Sequence, residues 1–272
     1  MLRALDRHGA NTSGCWPAAG LTVRYPGGKG GSGVYQTIIN LIPPHSVYIE
    51  AFAGGANIYE RKARAVRSIL LERDPKQANV LRSTIAGCIG SAGTTVINVE
   101  AVSWLKNRMW MGDEFVYLDP PYVLSTRTKK AIYSHEMTDD QHRDLISVLS
   151  AISGRGVRFM LSGYRNDIYD EAAASLGWER VDFNAMTRGG VRVESVWMNY
   201  QSPATLADYA YAGSDFRERE RIKRKVHRWI ERLKQLPAVE RGALLSAMLA
   251  TDIKNGDVVP RSSNGVSCEA TR

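Results

Sequence analysis

The sequence predicts an open, mostly parallel α/β sheet with helices on both faces, and three observations carry that reading. Short apolar runs (Val47-Tyr48-Ile49, Ser68–Leu71, Phe115–Leu118 and Val157–Ser162) alternate with stretches of helical spacing. Several of these runs end in a glycine-rich or acidic turn, where such sheets hold ligands. Two last runs, Arg180–Asn184 and Glu194–Tyr200, flank Gly189-Gly190 and read as a terminal strand pair.

Residues 1–21 lack period and are expected to be flexible. The loop Arg24–Gly33 holds five of its glycines within seven residues and leads into a helix over Val34–Leu41, stopped by Pro43-Pro44. The strand at 47–49 ends in Glu50-Ala-Phe-Ala-Gly-Gly55, and a helix follows through Ala65. The strand at 68–71 ends in Glu72-Arg-Asp74, and Gln77–Ile89 is helical. Residues 90–112 are ambiguous: Thr94–Ile97 is β-branched, and Ala101–Trp110 has helical spacing. Thr138-Asp139-Asp140 caps a helix to about Ile152, and Ile168–Leu176 is the next. Phe216–Leu236 is a long charged helix with an apolar stripe of Ile222, Val226, Trp229, Ile230, Leu233 and Leu236. Pro237 ends it, and Glu240–Ala250 completes an αα-hairpin in which the stripe is expected to pack. Residues 255–272 are expected to be disordered.

The chain has 272 residues and 44% hydrophobic content, enough for one large domain with an appendage. No run of 18 apolar residues suits a membrane span. The N-terminus lacks an apolar signal core. Cys15, Cys88 and Cys268 are scattered without metal-ligand spacing, which fits a reducing, cytoplasmic setting and gives no metal site. The net charge of +8 suits a polyanionic partner. From Asp215 to Gln235 nine Lys/Arg face four Asp/Glu, so most of the excess sits in that one helix.

The most informative motif is Asp119-Pro120-Pro121-Tyr122, at the end of a buried strand. The prolines stiffen the turn and remove backbone donors, so carbonyls stay available as acceptors. A carboxylate, a carbonyl and an aromatic face together suit a planar group with an exocyclic amine, such as an adenine turned out of a duplex. Glu72 and Asp74 lie about 20 residues past the Gly54-Gly55 turn, the spacing at which nucleotide-binding folds place an acidic residue on a ribose. Pro26-Gly-Gly-Lys29 is not a phosphate-binding P-loop, because Gly30 follows the lysine. Lys29 would reach another anion, such as a carboxylate.

Taken in order, Tyr25-Pro-Gly-Gly-Lys29, Glu50-Ala-Phe-Ala-Gly-Gly55, Glu72-Arg-Asp74 and Asp119-Pro-Pro-Tyr122 resemble the Dam-type DNA adenine-N6 methyltransferases, especially the compact members carried by phages and prophages. Tyr133–Thr138, Leu161–Tyr164 and Glu194–Asn199 are similar to that branch too. The resemblance spans residues 22–202. It implies a Rossmann-like class I S-adenosylmethionine-dependent methyltransferase sheet, with a small inserted recognition segment and a C-terminal αα-hairpin. It implies a catalytic domain over 22–204, a basic helical extension over 205–254 and S-adenosyl-L-methionine as methyl donor, without a metal. Tyr25 and Lys29 would approach the methionine part. Phe52, Gly54 and Gly55 would form the cofactor floor beside Glu50. Glu72, where the family usually has Asp, would bind the ribose, with Asp74 second. Asp119 and the Pro120 carbonyl would accept from the adenine amino group, and Tyr122 would stack on the base.

Arg127, Lys129 and Lys130 are expected on DNA phosphates, with Tyr133 and His135 lining the base pocket. In this family target recognition usually precedes the Asp-Pro-Pro-Tyr strand. Here only residues 90–111 are left for it, which points to a short or relaxed target. The expected partner is DNA, with no membrane, for a monomer or weak dimer. Methylation of RNA adenine or of a protein glutamine amide is the rival chemistry. A catalytically idle DNA-binding scaffold is the rival of another class. No nuclease segment is visible, so a restriction role does not follow from the chain.

Overall fold

The computed structural model describes residues 28–88, 91–127, 135–187, 190–254 and 257–260. Seven strands form one mixed sheet: β1 (Val47–Ala51), β2 (Arg67–Glu72), β3 (Thr94–Asn98), β4 (Glu114–Leu118), β5 (Arg158–Gly163), β6 (Glu179–Thr187) and β7 (Gly190–Met198). Their order is β3-β2-β1-β4-β5-β7-β6, and only β7 runs antiparallel to both its neighbours. The chain winds outward in opposite directions from β1 and β4. The crevice at their carboxyl ends is therefore the topological switch point, where open α/β sheets bind ligands.

Side-chain alternation divides the core between the two faces. On one face Tyr48, Leu70, Phe115, Tyr117 and Val196 pack against α1 (Val34–Asn40), α2 (Asn57–Arg61) and α3 (Pro75–Ala86). On the other Ile49, Leu71, Val116, Leu161 and Trp197 pack against α4 (Ala101–Asn107), α5 (Asp139–Ser153) and α6 (Asp167–Leu176). The helix starts follow local chemistry. Asp74 caps α3 by accepting from the Lys76 amide at 2.8 Å, with Pro75 in the first turn. Thr138 and Gln141 form a reciprocal capping box at α5, and Asn166 caps α6.

Within residues 90–111, expected to carry target recognition, residues 94–98 are β3, paired with β2, and α4 buries Ala101, Val102 and Leu105. The β-branched run completes the sheet edge, and Glu100 caps the helix behind it. The body also extends beyond residue 204. Asp208 accepts from the Ala63 amide at 2.7 Å, and the Tyr211 ring meets Tyr35 edge-on.

The chain divides into two compact units after Phe216. The second contains α7 (Phe216–Gln235), α8 (Ala238–Ala250), β8 (Thr251–Lys254) and β9 (Asp257–Pro260). None of the residues of α7 and α8 is buried, and the stripe positions Val226 and Trp229 are 51% and 52% exposed. The stripe expected to pack in the hairpin is thus open at its centre. Residues 257–260, expected to belong to a disordered tail, pair antiparallel with β8. The sequence signal is Asn255-Gly256 between β-branched residues, a hairpin pattern.

Among the described residues no helix is long and apolar enough to cross a membrane, and no three His, Cys, Asp or Glu gather to hold a metal ion.

Candidate active site

A cleft opens at the switch point. Phe52 after β1, Leu71 to Arg73 at the end of β2, Val99 after β3 and Asp119 and Pro121 after β4 form one side, facing His135, Met137, Gln141 and Asp144. The turn after β1 is unusually constrained. Phe52 and Ala56 have φ of 63° and 48°, and Gly54 has 50°. Left-handed backbone at non-glycine residues costs on the order of 1–3 kcal/mol each and is characteristic of ligand-binding turns. Local bonds hold it: the Ala53 amide donates to the Leu71 carbonyl, the Gly54 amide to Glu72 Oε2, and Gln77 Nε2 to the Gly54 carbonyl.

The two acidic candidates after β2 separate cleanly. Glu72 lines the cleft, with its oxygens anchored by the Gly54 and Asp74 amides, each at 2.8 Å. Burial is the first influence on its carboxyl and raises its pKa against those amide bonds. Asp74 is spent on capping α3.

On the other side of Asp119 lies a compact polar cluster. Lys29, only 4% exposed, places Nζ 2.9 Å from Asp119 Oδ1 and 3.5 Å from Glu194 Oε2. It also donates to the Tyr122 hydroxyl and sits 4.6 Å from the centre of that ring. Tyr122 in turn donates to Glu194 Oε2 at 3.3 Å, and its ring meets Tyr164 edge-on at 4.7 Å. Ser162 Oγ donates to Asp119 Oδ1 at 2.9 Å, and Tyr117 lies 3.1 Å behind Ser162. Burial works against the Lys29 charge, but Asp119, Glu194 and Tyr117 outweigh it and hold the ammonium above the ordinary lysine range. Burial, reinforced by Glu194, lifts the Asp119 carboxyl above the ordinary aspartate range despite Lys29. Among the described residues no group donates to Asp119 Oδ2 or to the Pro120 carbonyl.

Several expected site residues stand elsewhere. Lys29, expected to approach the methionine part of the cofactor, is paired with the Asp119 carboxylate. Glu50 projects to the opposite face of β1, where its Oε2 accepts from Tyr48 and from the Tyr59 amide, both at 2.8 Å. It braces β1 against α2, because alternation along the strand puts it beside Tyr48 rather than in the cleft. Arg127 is not free for a phosphate: its side chain is 4% exposed and binds Glu136 through two contacts of 3.2 and 2.5 Å. The pair ties together the flanks of residues 128–134. His135 is exposed at the cleft rim. Tyr25, Lys129, Lys130 and Tyr133 lie outside the described residues. Ser162 and Glu194 were missed as site residues. Their signal is a polar side chain inside an otherwise apolar strand.

With this geometry in place, one comparison bears on part of the chain. Residues 89–189 match the model of the D12 class N6 adenine-specific DNA methyltransferases. The matched stretch runs through β3, Asp119-Pro-Pro-Tyr122, α5, β5, α6 and β6, and bears out the resemblance over that part of the chain. It does not reach Lys29, Gly54 or Glu72. No curated protein matches the chain.

Solved structures similar to it include the Mycoplasma capricolum TrmK complex with S-adenosyl-homocysteine, at 8% identity and TM-score 0.45 over 79% of this chain and 93% of that one. A precorrin 8W decarboxylase from Methanobacterium thermoautotrophicum matches at 12% identity and TM-score 0.41, over 64% and 91%. A putative Escherichia coli methyltransferase, yhhF, matches at 17% and 0.37, over 56% and 74%.

Two outcomes test these placements. Burial raises the Glu50 pKa to about 7, so its contribution to stability falls as pH rises from about 4.5 to 7. Glu50→Gln keeps an acceptor for both donors, and the difference in unfolding free energy from the parent should grow by on the order of 3 kcal/mol across that window. Thermal or urea unfolding at a series of pH values measures it; a flat difference means Glu50 is not held neutral. Arg127→Ala should cost about 2 kcal/mol in urea unfolding, since Glu136 is partly hydrated, and leave the salt dependence of DNA affinity unchanged. A shallower salt slope would return Arg127 to the phosphate role.

Proposed function

We propose that the protein transfers a methyl group from S-adenosylmethionine to N6 of adenine in DNA. The observation that carries this reading is the position of Asp119, between the switch-point cleft and the Lys29–Tyr122–Glu194 cluster, with Oδ2 and the neighbouring Pro120 carbonyl open as acceptors.

The cleft suits the donor. Phe52, the apolar Val99 and Met137, and the remaining acceptor capacity of the Glu72 carboxylate suit an adenosine with ribose hydroxyls. Bound there, S-adenosylmethionine supplies an electrophilic methyl group. Asp119 Oδ2 and the Pro120 carbonyl take the two amino hydrogens of the base, which directs the N6 lone pair and stabilises the positive charge growing on it. The Asp119 carboxyl, lifted by burial, is also the stronger acceptor for the proton N6 sheds. Ser162 holds the other oxygen and so fixes the carboxylate plane. Lys29 is paired with both Asp119 and Glu194, so no buried charge is stranded.

With β3 and α4 absorbed into the sheet, no separate recognition insertion stands before Asp119. This supports a short or relaxed target, with phosphate contacts, including those of the basic α7, supplying much of the affinity.

The direct test is incubation with labelled S-adenosylmethionine and unmethylated DNA, followed by digestion and mass spectrometry of the nucleosides. N6-methyladenine establishes the reaction. Label on RNA or on protein amides, but not on DNA, overturns the DNA assignment; cofactor binding without any product leaves a scaffold.

Two variant sets follow. Asp119→Ala should lower methyl transfer roughly 10³-fold while cofactor affinity stays within a few-fold; full activity would remove Asp119 from the mechanism. Glu72→Ala should abolish calorimetric binding of S-adenosylmethionine, whereas Asp74→Ala should cost about 1 kcal/mol of stability through the lost cap and preserve binding. The reverse pattern would move the ribose to Asp74.

A further inference from the structure

β5 ends at Gly163, opposite Ser195 of β7. Beyond that point β6 and β7 continue as a pair, residues 183–187 against 190–194, past the end of the strand beside them. At about 3.3 Å per residue this two-stranded ribbon reaches roughly 16 Å further. It leaves the body at the catalytic end of the sheet. Glu194, at its base, contacts Lys29 and Tyr122, and the Arg192 guanidinium lies 5.5 Å from the Tyr164 ring.

The two faces of the ribbon differ. Ala185 is buried and Phe183 half-buried in the core beside α1, which fixes the ribbon's direction. The outer face carries Met186, Val191 and Val193, which are 71%, 59% and 54% exposed, with Met186 and Val191 directly paired. At the ribbon's foot a shallow trough is lined by Ser125, Thr126, Arg165, Asp167 and Arg192, among others. Arg165 is paired with Asp170 at 3.0 Å on its outer side.

We infer that the β6–β7 ribbon docks in the groove of duplex DNA beside the flipped adenine and, in place of an inserted recognition segment, is the element that grips the flanking base pairs. The inference rests on the DNA methyltransferase reading above. The major groove, about 12 Å wide, admits a two-stranded ribbon, and aliphatic side chains meet thymine methyl groups there. The trough offers the Arg192 guanidinium and the Ser125 and Thr126 hydroxyls to an adjoining backbone phosphate, with Arg165 already paired to Asp170. Exposed aliphatics this close to a reactive carboxylate have no core to enter, and a nucleic-acid groove supplies the missing contact.

The test compares steady-state methylation of a duplex and of the same strand single-stranded. Val191→Glu with Val193→Glu should raise KM for the duplex at least 10-fold, leave KM for the single strand within about twofold, and keep kcat. Val191→Thr with Val193→Thr, which keeps shape, should stay near the parent. Val66→Glu, at an 83% exposed site before β2, controls for charge alone and should change neither KM. Unchanged duplex KM in the glutamate variant overturns the inference, as does an equal rise on both substrates or an equal effect of Val66→Glu. If the parent protein methylates no DNA at all, the underlying reading fails and the ribbon's assignment with it. If the parent is active and the variants are silent, only the ribbon's assignment fails.

Discussion

One ammonium set between two carboxylates is the constraint on which the site depends. Lys29 arrives from the loop before α1, Asp119 from the end of β4 and Glu194 from β7, three segments far apart in sequence. None of these groups is stable alone where it stands. Buried Asp119 and Glu194 repel each other, and buried Lys29 without them would lose its charge. Together they carry one more negative than positive charge, so the cluster is poised for a proton or for the hydrogens of an amine. That imbalance turns a structural ion pair into a group with chemical use, and burial first, then Glu194, raises the Asp119 pKa even with a lysine in contact.

The antiparallel strand is what makes this possible. In an all-parallel sheet the neighbour of β5 would reach the cleft end with its carboxyl terminus. Here β7 starts there, so it can run on past β5 and deliver Glu194 opposite Tyr122. Asp119 then stands at the joint of two compartments built on opposite faces. The cleft draws on α4 and α5, while the Lys29 cluster draws on the loop before α1 and on β7. A methyl donor and an acceptor amine approaching from these two sides meet at one carboxylate.

Much of this architecture is legible in the residues. The capping box Thr138–Gln141 and the Asn166 cap mark helices before any tertiary contact is known. Asp119-Pro-Pro-Tyr122 marks the reactive turn. Parity was also available: Glu50 shares a face with Tyr48, while the left-handed Phe52 ends the strand alternation before the cleft. Other features were not legible because they depend on partners distant in sequence. Arg127 reads as a basic loop residue until Glu136, nine positions later, is seen to hold it. Lys29 reads as an anion-binding lysine, correctly, but the anion proves to be Asp119. Residues 94–98 are too short and too polar to announce a sheet edge, and only their pairing with β2 shows that they form one.

That absorption bears on how such a small enzyme finds its substrate. Affinity for DNA has two separable sources: charge, which is indifferent to sequence, and groove contact, which is not. The excess charge is concentrated in α7, which lies in the second unit and has no buried residue. The catalytic body has instead a short aliphatic ribbon fixed to the rim of its reactive carboxylate. An edge ribbon with exposed Met186, Val191 and Val193 invites unwanted strand pairing. A chain gains nothing from that hazard unless the ribbon's surface is covered when it works. The reactive turn and the ribbon share a base at Glu194, so under the proposed reading a duplex seated on one would be held at a fixed offset from the other. Position along the groove and extrusion of the base would then be one event rather than two.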